Sequence, residues 1–430
     1  MSDLRLLWYL HELRKSQWLK TSEIRKIQEK KLRAIVRYAY ENVEFYHKEF
    51  NALGLKPDDV KTAQDLQKLP IISRQDVKRN FPRGLVPKDV SMEKCQRYTS
   101  SGSTGVPVTV ICNSKCEDFR AALFVRPFLE CGLKLRDKMA RIGDVQNRSR
   151  RWYEYFGLMR KMCVCPTAPV RDEVHLLEQY QPDVIYGHSS YIFLLAKEMR
   201  EMGVQKISPR IAIGTAELLS KKMRSFIESS FEAKMFDFYG CVEVERLAWE
   251  CKERNGYHMD IDAQVIELVR NEEIAAPGER GKVIVTCLYN YAMPLIRYDL
   301  GDVGAATDEK CACGRGLPLM KRIEGRTNDF LICPDGRLVS PMAIFAVIDY
   351  FSEIAQFRVI QEKKDKIVVE LIKGRGFSDK TIHQVQEKVG EIIGEEVLIE
   401  PVVVDYIPRD PGGKMRVVSS RIWENERFKF

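Results

Sequence analysis

The spacing of apolar residues divides the chain into regions with different patterns. From Leu6 to Tyr46 apolar positions recur at helical spacing with lysine and arginine between many of them, which predicts basic amphipathic helices. Beyond Pro70 short β-branched runs alternate with longer amphipathic segments, for example at 183–186, 191–202, 210–213 and 221–231, a rhythm typical of an α/β architecture. Between Val265 and Thr307 short strands separated by glycines predict a β-rich subdomain. We therefore expect an α/β fold with a large N-terminal domain of several subdomains.

The tail of the chain has the pattern of a smaller domain. Strands are expected at 357–361 and 367–372, and helices at 344–351 and 379–393. This combination predicts a small α+β domain, and the change of pattern places its boundary between Arg326 and Phe330. The expected division is an N-terminal domain at 1–328 and a C-terminal domain at 329–430.

Composition narrows the class of protein. With 430 residues, 45% apolar and 30% charged, the chain can bury at least one large core, which excludes a disordered or fibrous protein. The longest apolar runs, such as Tyr191–Ala196, are much shorter than the roughly 18 to 20 residues that cross a bilayer. The residues after Met1 lack the flanks of a signal peptide. We expect a cytoplasmic protein with no membrane span.

The charge balance and the cysteines leave the partners open. The 69 Lys and Arg residues and 61 Asp and Glu residues give a net charge of +8, which suits an enzyme handling anions as well as a nucleic-acid binder. The basic N-terminal helices also suit an anionic membrane surface, but we expect the commoner arrangement, in which the apolar face packs on the protein itself. Twelve cysteines without a regular framework indicate reduced thiols, some of them able to bind metal.

A loop rich in glycine and hydroxyl groups follows Tyr98. Thr99 to Thr104 is a run of six small or hydroxylated residues, and Gly105 follows it. Glycines let backbone N–H groups approach an anion, and hydroxyl groups add hydrogen bonds to phosphate oxygens. No Lys-Ser or Lys-Thr pair follows the second glycine, so the loop differs from the common P-loop. Taken alone, such a loop is more often a flexible surface segment than a phosphate site.

Four further motifs follow the loop in order. They are Phe236–Glu243 (FDFYGCVE), Arg297–Asp302 (RYDLGD), Gly325–Asp329 (GRTND) and Pro411–Lys414 (PGGK). The ordered set resembles the motifs of adenylate-forming enzymes. The chain length, the N-terminal helices and the cysteine pattern resemble the phenylacetate-coenzyme A ligase branch. The resemblance implies the fold of adenylate-forming enzymes. It also implies that the chain is an ATP- and Mg²⁺-dependent acid-thiol ligase, which converts a carboxylate into an acyl-adenylate with release of pyrophosphate.

The resemblance assigns the contacts with ATP or AMP to residues spread along the chain. Tyr239 would stack on adenine with the flat face of its ring. Asp302 would accept hydrogen bonds from both ribose hydroxyls, because a carboxylate offers two acceptor oxygens. The remaining assigned residues are Ser100, Ser101, Gly102, Ser103, Thr104 and Gly105 at the phosphates, Ala216 and Glu217 along the adenine pocket, and Gly240 beside Tyr239.

The resemblance also assigns residues that would neutralise phosphate charge and a hinge residue for movement of the small domain. Glu243 would bind Mg²⁺, Arg326 would lie near the ribose and phosphate, and Lys414 would reach the α-phosphate from the small domain. Asp329 would be the hinge about which the small domain turns between adenylation and thioester formation with coenzyme A. Each of these residues taken singly is more often an ordinary surface or structural residue, so the assignment depends on the ordered set.

A cluster of sulfur and imidazole ligands predicts zinc. Cys311 and Cys313 form a close pair, and Cys251 and His258 lie upstream of them. Four such ligands suffice for tetrahedral zinc, and their positions resemble a structural zinc site of this branch. Free buried thiols are the alternative. A second pair, Cys163-Val-Cys165, is expected in a buried strand without metal.

The segment Asp183–Ser190 resembles the strand-to-helix turn that borders the acyl pocket. Tyr186 and His188 are therefore candidates for the substrate pocket. His188 is not needed as a base in the first step, because the substrate carboxylate is already a nucleophile. The segment from Ile142 to Pro166 lacks an expected glycine-rich stretch and contains Arg148-Ser-Arg-Arg-Trp, so an acid other than phenylacetate is an open alternative.

Three departures from the family pattern concern the nucleotide site. Val108 stands where many relatives have lysine, which is common in this branch. Val242 and Leu300 replace threonines, and the loss of these hydroxyl groups near ATP leaves the efficiency of adenylation open.

We interpret the chain as a ligase that activates a carboxylic acid, such as phenylacetate or a similar aryl acid, and transfers it to coenzyme A. Adenylation of a biosynthetic building block without coenzyme A is one alternative. A zinc-containing protein with a degenerate nucleotide site that binds nucleic acid or a membrane surface is another. The expected partners are the acid, coenzyme A and a second copy of the chain in a homodimer, without nucleic acid.

Overall fold

A computed structural model describes residues 3–100, 107–143, 152–204, 206–410 and 413–423. These residues form two compact units. The first unit combines Met1–Gly132 with Phe238–Ile323, and the second combines Leu133–Asp237 with Glu324–Lys429. In the described ranges no helix is long and apolar enough to cross a membrane.

Helices and strands alternate along most of the chain. The helices are α1 (Asp3–Ser16), α2 (Thr21–Asn42), α3 (Glu44–Ala52), α4 (Arg74–Asn80), α5 (Ser114–Glu130), α6 (Trp152–Tyr155), α7 (Val170–Tyr180), α8 (Ser189–Glu201), α9 (Lys221–Phe231), α10 (Pro341–Ile348) and α11 (Asp379–Ile393).

The strands are β1 (Gln96–Thr99), β2 (Thr109–Cys112), β3 (Lys138–Ile142), β4 (Arg160–Val164), β5 (Val184–His188), β6 (Ile211–Thr215), β7 (Lys234–Cys241), β8 (Glu245–Glu250), β9 (Tyr257–Met259), β10 (Gln264–Arg270), β11 (Glu273–Ile274), β12 (Arg280–Cys287), β13 (Tyr298–Ala306), β14 (Leu319–Arg326), β15 (Leu331–Ile332), β16 (Leu338–Val339), β17 (Ile354–Lys363), β18 (Lys366–Lys373), β19 (Leu398–Val403) and β20 (Val418–Ser420).

The first unit is rich in β-structure and carries the N-terminal helices. Its strands follow the order β11-β10-β12-β13-β14-β9-β8-β7, and β1 and β2 form a separate antiparallel hairpin. Helix α2 shows why the N-terminal pattern predicts packing on the protein itself. Its residues Ile24, Leu32, Ile35 and Ala39 recur at helical spacing and are fully buried. Most basic residues between them, such as Arg25 and Arg33, are exposed, whereas Lys31 turns inward and donates a hydrogen bond to Asp262 O (2.6 Å).

The second unit contains a parallel sheet with the strand order β6-β5-β3-β4. Because the strands are parallel, β5 and β6 end at the same edge, where His188 pairs with Thr215. The residues that follow the two strands are thus neighbours. This edge positions the predicted pocket and adenine segments.

The tail of the second unit forms a four-stranded sheet with the order β19-β18-β17-β20. The sheet is covered by apolar residues of α11, including Val385, Val389 and Ile393, which are fully buried. The hydrophobic cluster of this unit includes apolar residues of the parallel sheet, its helices and the tail.

The pattern-based predictions of elements are confirmed in most places. Helix α9 and helix α11 occupy the expected residues, and the strands expected at 357–361 and 367–372 lie inside β17 and β18. The expectation for Cys163-Val-Cys165 is wrong in its burial: Cys163 lies in β4 but is exposed. Strand β4 is the outermost strand of its sheet, so one of its edges has no neighbouring strand, and Val164 is its one buried residue. The boundary at 328/329 stays a prediction.

Candidate active site

The first unit holds Tyr239 and Gly240 near the end of β7 and Glu243 in the turn that joins β7 to β8. Gly240 is required there, because an added Cβ would lie only 2.4 Å from the carbonyl oxygen of Glu245. Arg120 of α5 braces the same turn by donating hydrogen bonds to Val242 O (3.1 Å) and to the Glu245 carboxylate (3.0 Å). The turn therefore has a defined shape before any ligand binds.

Glu243 is buried and oriented by two donors. Its side chain is only 1% exposed, and its Oε1 accepts hydrogen bonds from Tyr298 Oη (3.2 Å) and from Arg74 Nη2 (3.1 Å). The described residues place no hydrogen-bond donor on its second oxygen. That oxygen makes Glu243 fit the role of a Mg²⁺ ligand, because Mg²⁺ is bound through one or two carboxylates together with water and phosphate oxygens.

Tyr239 and Asp302 are brought together by adjacent segments of the first unit. Tyr239 Oη donates a hydrogen bond of 2.7 Å to Asp302 Oδ2, and Asp302 is buried in β13. The bond fixes the direction of the phenol ring beside a buried carboxylate. This geometry suits a nucleoside whose base and ribose are contacted by neighbouring residues.

Of the predicted phosphate loop, the structure describes Ser100. Ser100 is buried, its N–H donates to Val108 O, and its Oγ accepts from the N–H of Val108, both at 2.9 Å. These bonds close the two ends of the loop. The other predicted residues, Ser101, Gly102, Ser103, Thr104 and Gly105, lie outside the described residues.

The second unit places Tyr186, His188, Ala216 and Glu217 at the shared edge of β5 and β6. Tyr186 is buried within β5, and His188 ends that strand. Ala216 has a positive φ of 66°, which is unusual for a residue with a side chain and marks a tight turn. Glu217 follows it and accepts a hydrogen bond of 2.9 Å from the N–H of Ser190. The structure thus brings the predicted pocket and adenine segments together.

The surroundings of His188 disfavour its charged form. Burial lowers the pKa of His188 below its usual value, and the nearby Glu217 carboxylate opposes this shift only in part. The Nδ1 atom of the ring is buried without a hydrogen-bond partner among the described residues. An imidazole whose charged form is disfavoured suits the wall of a pocket.

Lys414 belongs to a tight loop next to the same edge. Its N–H donates to Asp410 Oδ1 and its carbonyl accepts from the N–H of Asp410, both at 2.8 Å. Gly413 lies against the edge, since a Cβ on it would meet Pro166 at 2.6 Å and His188 Nδ1 at 3.8 Å. The half-buried Lys414 side chain forms no ion pair with the described residues, so its charge is available to a ligand.

Arg326 and Asp329 lie at the predicted start of the small domain. Arg326 ends β14, and Asp329 lies in the short 3₁₀ turn that follows. Arg416 donates hydrogen bonds to Asp329 Oδ1 (2.6 Å) and to Asn328 O (3.0 Å). The predicted hinge residue is therefore held by a residue that follows Lys414 closely in the chain.

The four predicted zinc ligands of the first unit form one cluster. The donor atoms of Cys251, His258, Cys311 and Cys313 all lie within 4.8 Å of one another. The thiols of Cys251 and Cys311 are 3.5 Å apart, and Cys313 Sγ is 3.3 Å from His258 Nε2. These separations fit tetrahedral ligands at about 2.0 to 2.3 Å from zinc. His258 Nδ1 lies 3.2 Å from Leu317 O, a carbonyl contact that orients the ring with Nε2 towards the thiols.

Two residues of the site carry no signal in the sequence. Arg74 lies 169 positions from Glu243, and Arg409 contacts Ser190 across 219 positions. Arg74 belongs to no motif, and Arg409 lies just before the Pro411–Lys414 motif, outside the residues to which the resemblance assigns a role. Only the folded chain shows that one contacts the predicted Mg²⁺ ligand and the other supports the Lys414 loop.

Comparisons with known proteins give a consistent family. Residues 331–421 match the family model described as the CapK C-terminal domain. A phenylacetate-coenzyme A ligase of Aromatoleum evansii is 30% identical over 328 residues, which cover 72% of each chain. A phenylacetate-coenzyme A ligase of Thermus thermophilus is 27% identical over 442 residues, covering 93% of this chain and 97% of the relative.

A solved structure shows the fold. A 2-hydroxyisobutyryl-CoA ligase in the postadenylation state, in complex with R3-HIB-AMP, has a TM-score of 0.80 and 19% identity, and the match covers 95% of this chain and 92% of that one. The expected fold of adenylate-forming enzymes is therefore confirmed.

Proposed function

Because the chain belongs to the phenylacetate-coenzyme A ligase-like branch of the adenylate-forming superfamily, whose members are AMP-forming acid-thiol ligases, we propose that it joins an aryl carboxylic acid to coenzyme A. Phenylacetate or a similar acid is the proposed substrate class. The observation that carries the proposal is Glu243, a buried carboxylate held by Tyr298 and Arg74 with one oxygen left for a cation.

The first half-reaction is attack by an oxygen of the substrate carboxylate on the α-phosphorus of ATP. The bond from the α-phosphorus to the oxygen bridging to the β-phosphate breaks, and pyrophosphate leaves with the bonding electrons. Asp302 would hold the ribose, Tyr239 the adenine, and Arg326 and Lys414 would neutralise phosphate charge. Mg²⁺, when held by Glu243, would supply further neutralisation of that charge.

The second half-reaction is attack by the thiol sulfur of coenzyme A on the acyl carbon. The bond from that carbon to the phosphate oxygen of AMP breaks, AMP leaves, and the thiol proton passes to solvent. Asp329 is proposed as the hinge between the two half-reactions. No residue of the tail specifies coenzyme A by its type alone.

The test is ATP–pyrophosphate exchange with Mg²⁺ across a panel of aryl, fatty and amino acids, repeated with coenzyme A. We expect exchange with aryl acids and a thioester product when coenzyme A is present. Measurable ATP binding without exchange for any acid would contradict the proposal.

A second candidate is adenylation without coenzyme A. It is favoured by one observation, the match of residues 331–421 to the family model described as the CapK C-terminal domain. Exchange without thioester formation in the same panel would support it.

We also propose that Cys251, His258, Cys311 and Cys313 hold a structural zinc ion. All four are soft or borderline ligands, and the carbonyl contact of His258 with Leu317 is of the kind that orients zinc-bound imidazoles. The cluster would fasten β8 and β9 to the segment that precedes β14. A homodimer and a cytoplasmic location stay predictions.

A further inference from the structure

A single carboxylate ties two distant segments of the second unit together. Glu217 Oε2 accepts the N–H of Ser190 at 2.9 Å, in the first turn of α8. Glu217 Oε1 accepts the N–H of Met415 at 2.7 Å, across 198 positions of the chain. Met415 directly follows Lys414. Both oxygens of Glu217 thus bind backbone groups, one on the pocket edge and one on the Lys414 loop.

Arg409 makes the complementary set of contacts. Its Nη1 donates to Ser190 Oγ (2.7 Å) and to Gly413 O (3.0 Å), and its Nη2 donates to Ser190 O (3.3 Å). The guanidinium also lies over the ring of Tyr191, 5.4 Å from its centroid. Arg409 therefore connects the residue before Lys414 to the same turn of α8 that Glu217 uses.

Glu217 and Arg409 hold Lys414 indirectly, through hydrogen bonds to the residues on either side of it in the chain. Gly413 is held through its carbonyl and Met415 through its N–H, while Lys414 itself is bonded to Asp410 inside the loop. The charged end of Lys414 takes no part in these bonds. Its position relative to the pocket edge is therefore set through the main chain, by Glu217 and Arg409.

We propose that Glu217 and Arg409 form a latch, meaning that they are positioning residues that hold the Lys414 loop in place for the adenylation half-reaction only. The inference rests on the proposed function of Lys414 at the α-phosphate. In thioester formation the loop is not needed at the pocket edge, so the latch contributes nothing to that step. Glu217 then acts through the loop rather than through a contact with adenine.

The direct test uses Glu217→Gln, which keeps the shape of the side chain. The amide keeps one acceptor oxygen and directs an NH₂ group at the second backbone donor, so one charge-assisted hydrogen bond is lost and a repulsive contact replaces it. We expect kcat for ATP–pyrophosphate exchange to fall about 10-fold or more and KM for ATP to change less than about 2-fold. Thioester formation from supplied acyl-adenylate and coenzyme A is expected to keep the wild-type rate.

A second variant and a control make the test specific. Arg409→Lys keeps the charge but loses the guanidinium group, whose two nitrogens bond Ser190 and Gly413 together. We therefore expect the same loss in kcat for ATP–pyrophosphate exchange. Lys222→Met removes hydrogen bonds to Phe351 O (2.8 Å) and Ile354 O (3.4 Å), which connect α9 to the tail without involving Glu217 or Arg409. This control is expected to keep the wild-type kcat, so an equal loss in Lys222→Met would overturn the latch.

Hydrogen exchange separates the latch from the proposed function, because it needs no activity. The amide protons of Ser190 and Met415 are expected to exchange faster in Glu217→Gln than in the wild type, and those of Phe351 to Ile354 at the same rate. Faster hydrogen exchange at Met415 in a protein that adenylates no acid would support the contacts of the latch and contradict the proposed function. Unchanged protection of Met415, or a raised KM for ATP at the wild-type kcat, would overturn the latch.

Discussion

The Glu243 turn of the first unit and the Lys414 loop of the second unit hold their charged groups in opposite ways. The Glu243 side chain is buried and is itself hydrogen-bonded by Tyr298 and Arg74. The Lys414 side chain has no ion-pair partner among the described residues, and its backbone carries the hydrogen bonds. A metal ligand needs a fixed oxygen, whereas a cation that serves one of two steps needs a loop that can be released.

Replacing Lys414 gives the largest expected effect. Lys414→Ala should abolish adenylation, with a loss of about 100- to 1,000-fold in the rate of exchange, because one preorganised charge at the phosphate is removed. ATP affinity should stay largely intact, since the other nucleotide contacts remain. The measurements are the exchange rate and ATP binding by calorimetry.

The matched control for Lys414→Ala is Lys388→Ala, a half-exposed lysine of α11 paired with Glu391. It should keep the wild-type rate. Adenylation by Lys414→Ala at the wild-type rate would show that Lys414 does not act at the α-phosphate. The contrast between the Lys414 loop and the Glu243 turn would then have no functional meaning.

Loss of the metal cluster tests how firmly the first unit is fixed. Cys311→Ser should release one zinc ion per chain and lower the free energy of unfolding by about 3 kcal/mol, the linkage expected when free metal is several hundred times its Kd. Metal content by elemental analysis and the unfolding midpoint measure both effects. Cys163→Ser, at an exposed cysteine outside the cluster, should change neither. Equal metal content in Cys311→Ser and wild type would show that the four-ligand site is wrong.

Removing Arg74 tests whether Glu243 is held by its partner. In Arg74→Met the buried carboxylate loses its cation and keeps only Tyr298, which should cost about 2 kcal/mol of stability. Urea unfolding measures this cost. Arg37→Met is the control, because Arg37 pairs with Asp58 at the surface, where an ion pair contributes little. Similar costs for the two variants would mean that Glu243 is not held by its ion pair.

The sequence predicts those parts of the fold that depend on local patterns. Helices α9 and α11 lie at the expected residues because their periodic apolar faces begin at serine N-terminal caps, Ser220 and Ser378. The grouping of residues 324–429 with residues 133–237 has no local signal, since it comes from apolar packing between distant segments. The exposure of Cys163 was missed for a similar reason, because edge position is a property of the sheet.

The candidate site likewise contains residues that motifs predict and residues that only the folded chain shows. The motifs predict Tyr239, Glu243, Asp302 and Lys414 as site residues from their types and order, and these assignments stay predictions. They do not identify Arg74 or Arg409, whose roles depend on which backbone and carboxylate groups fold next to them. Motifs thus name the groups that we propose to meet the ligand, and folding supplies the residues that hold those groups.

The smallest expected effect concerns the hydroxyl group of Tyr239. Tyr239→Phe keeps the ring for stacking but removes the 2.7 Å hydrogen bond to Asp302, which should cost about 1 kcal/mol, or roughly a 5-fold rise in KM for ATP. Tyr239→Ala should cost more, because the stacking face is lost as well. Steady-state kinetics with ATP varied measures both, and Tyr40→Phe, which loses a hydrogen bond to Asn51 near the surface, is the control. Equal kinetics for Phe and Ala at position 239 would show that the ring does not contact adenine, and the fixed geometry of this turn would then serve Asp302 alone.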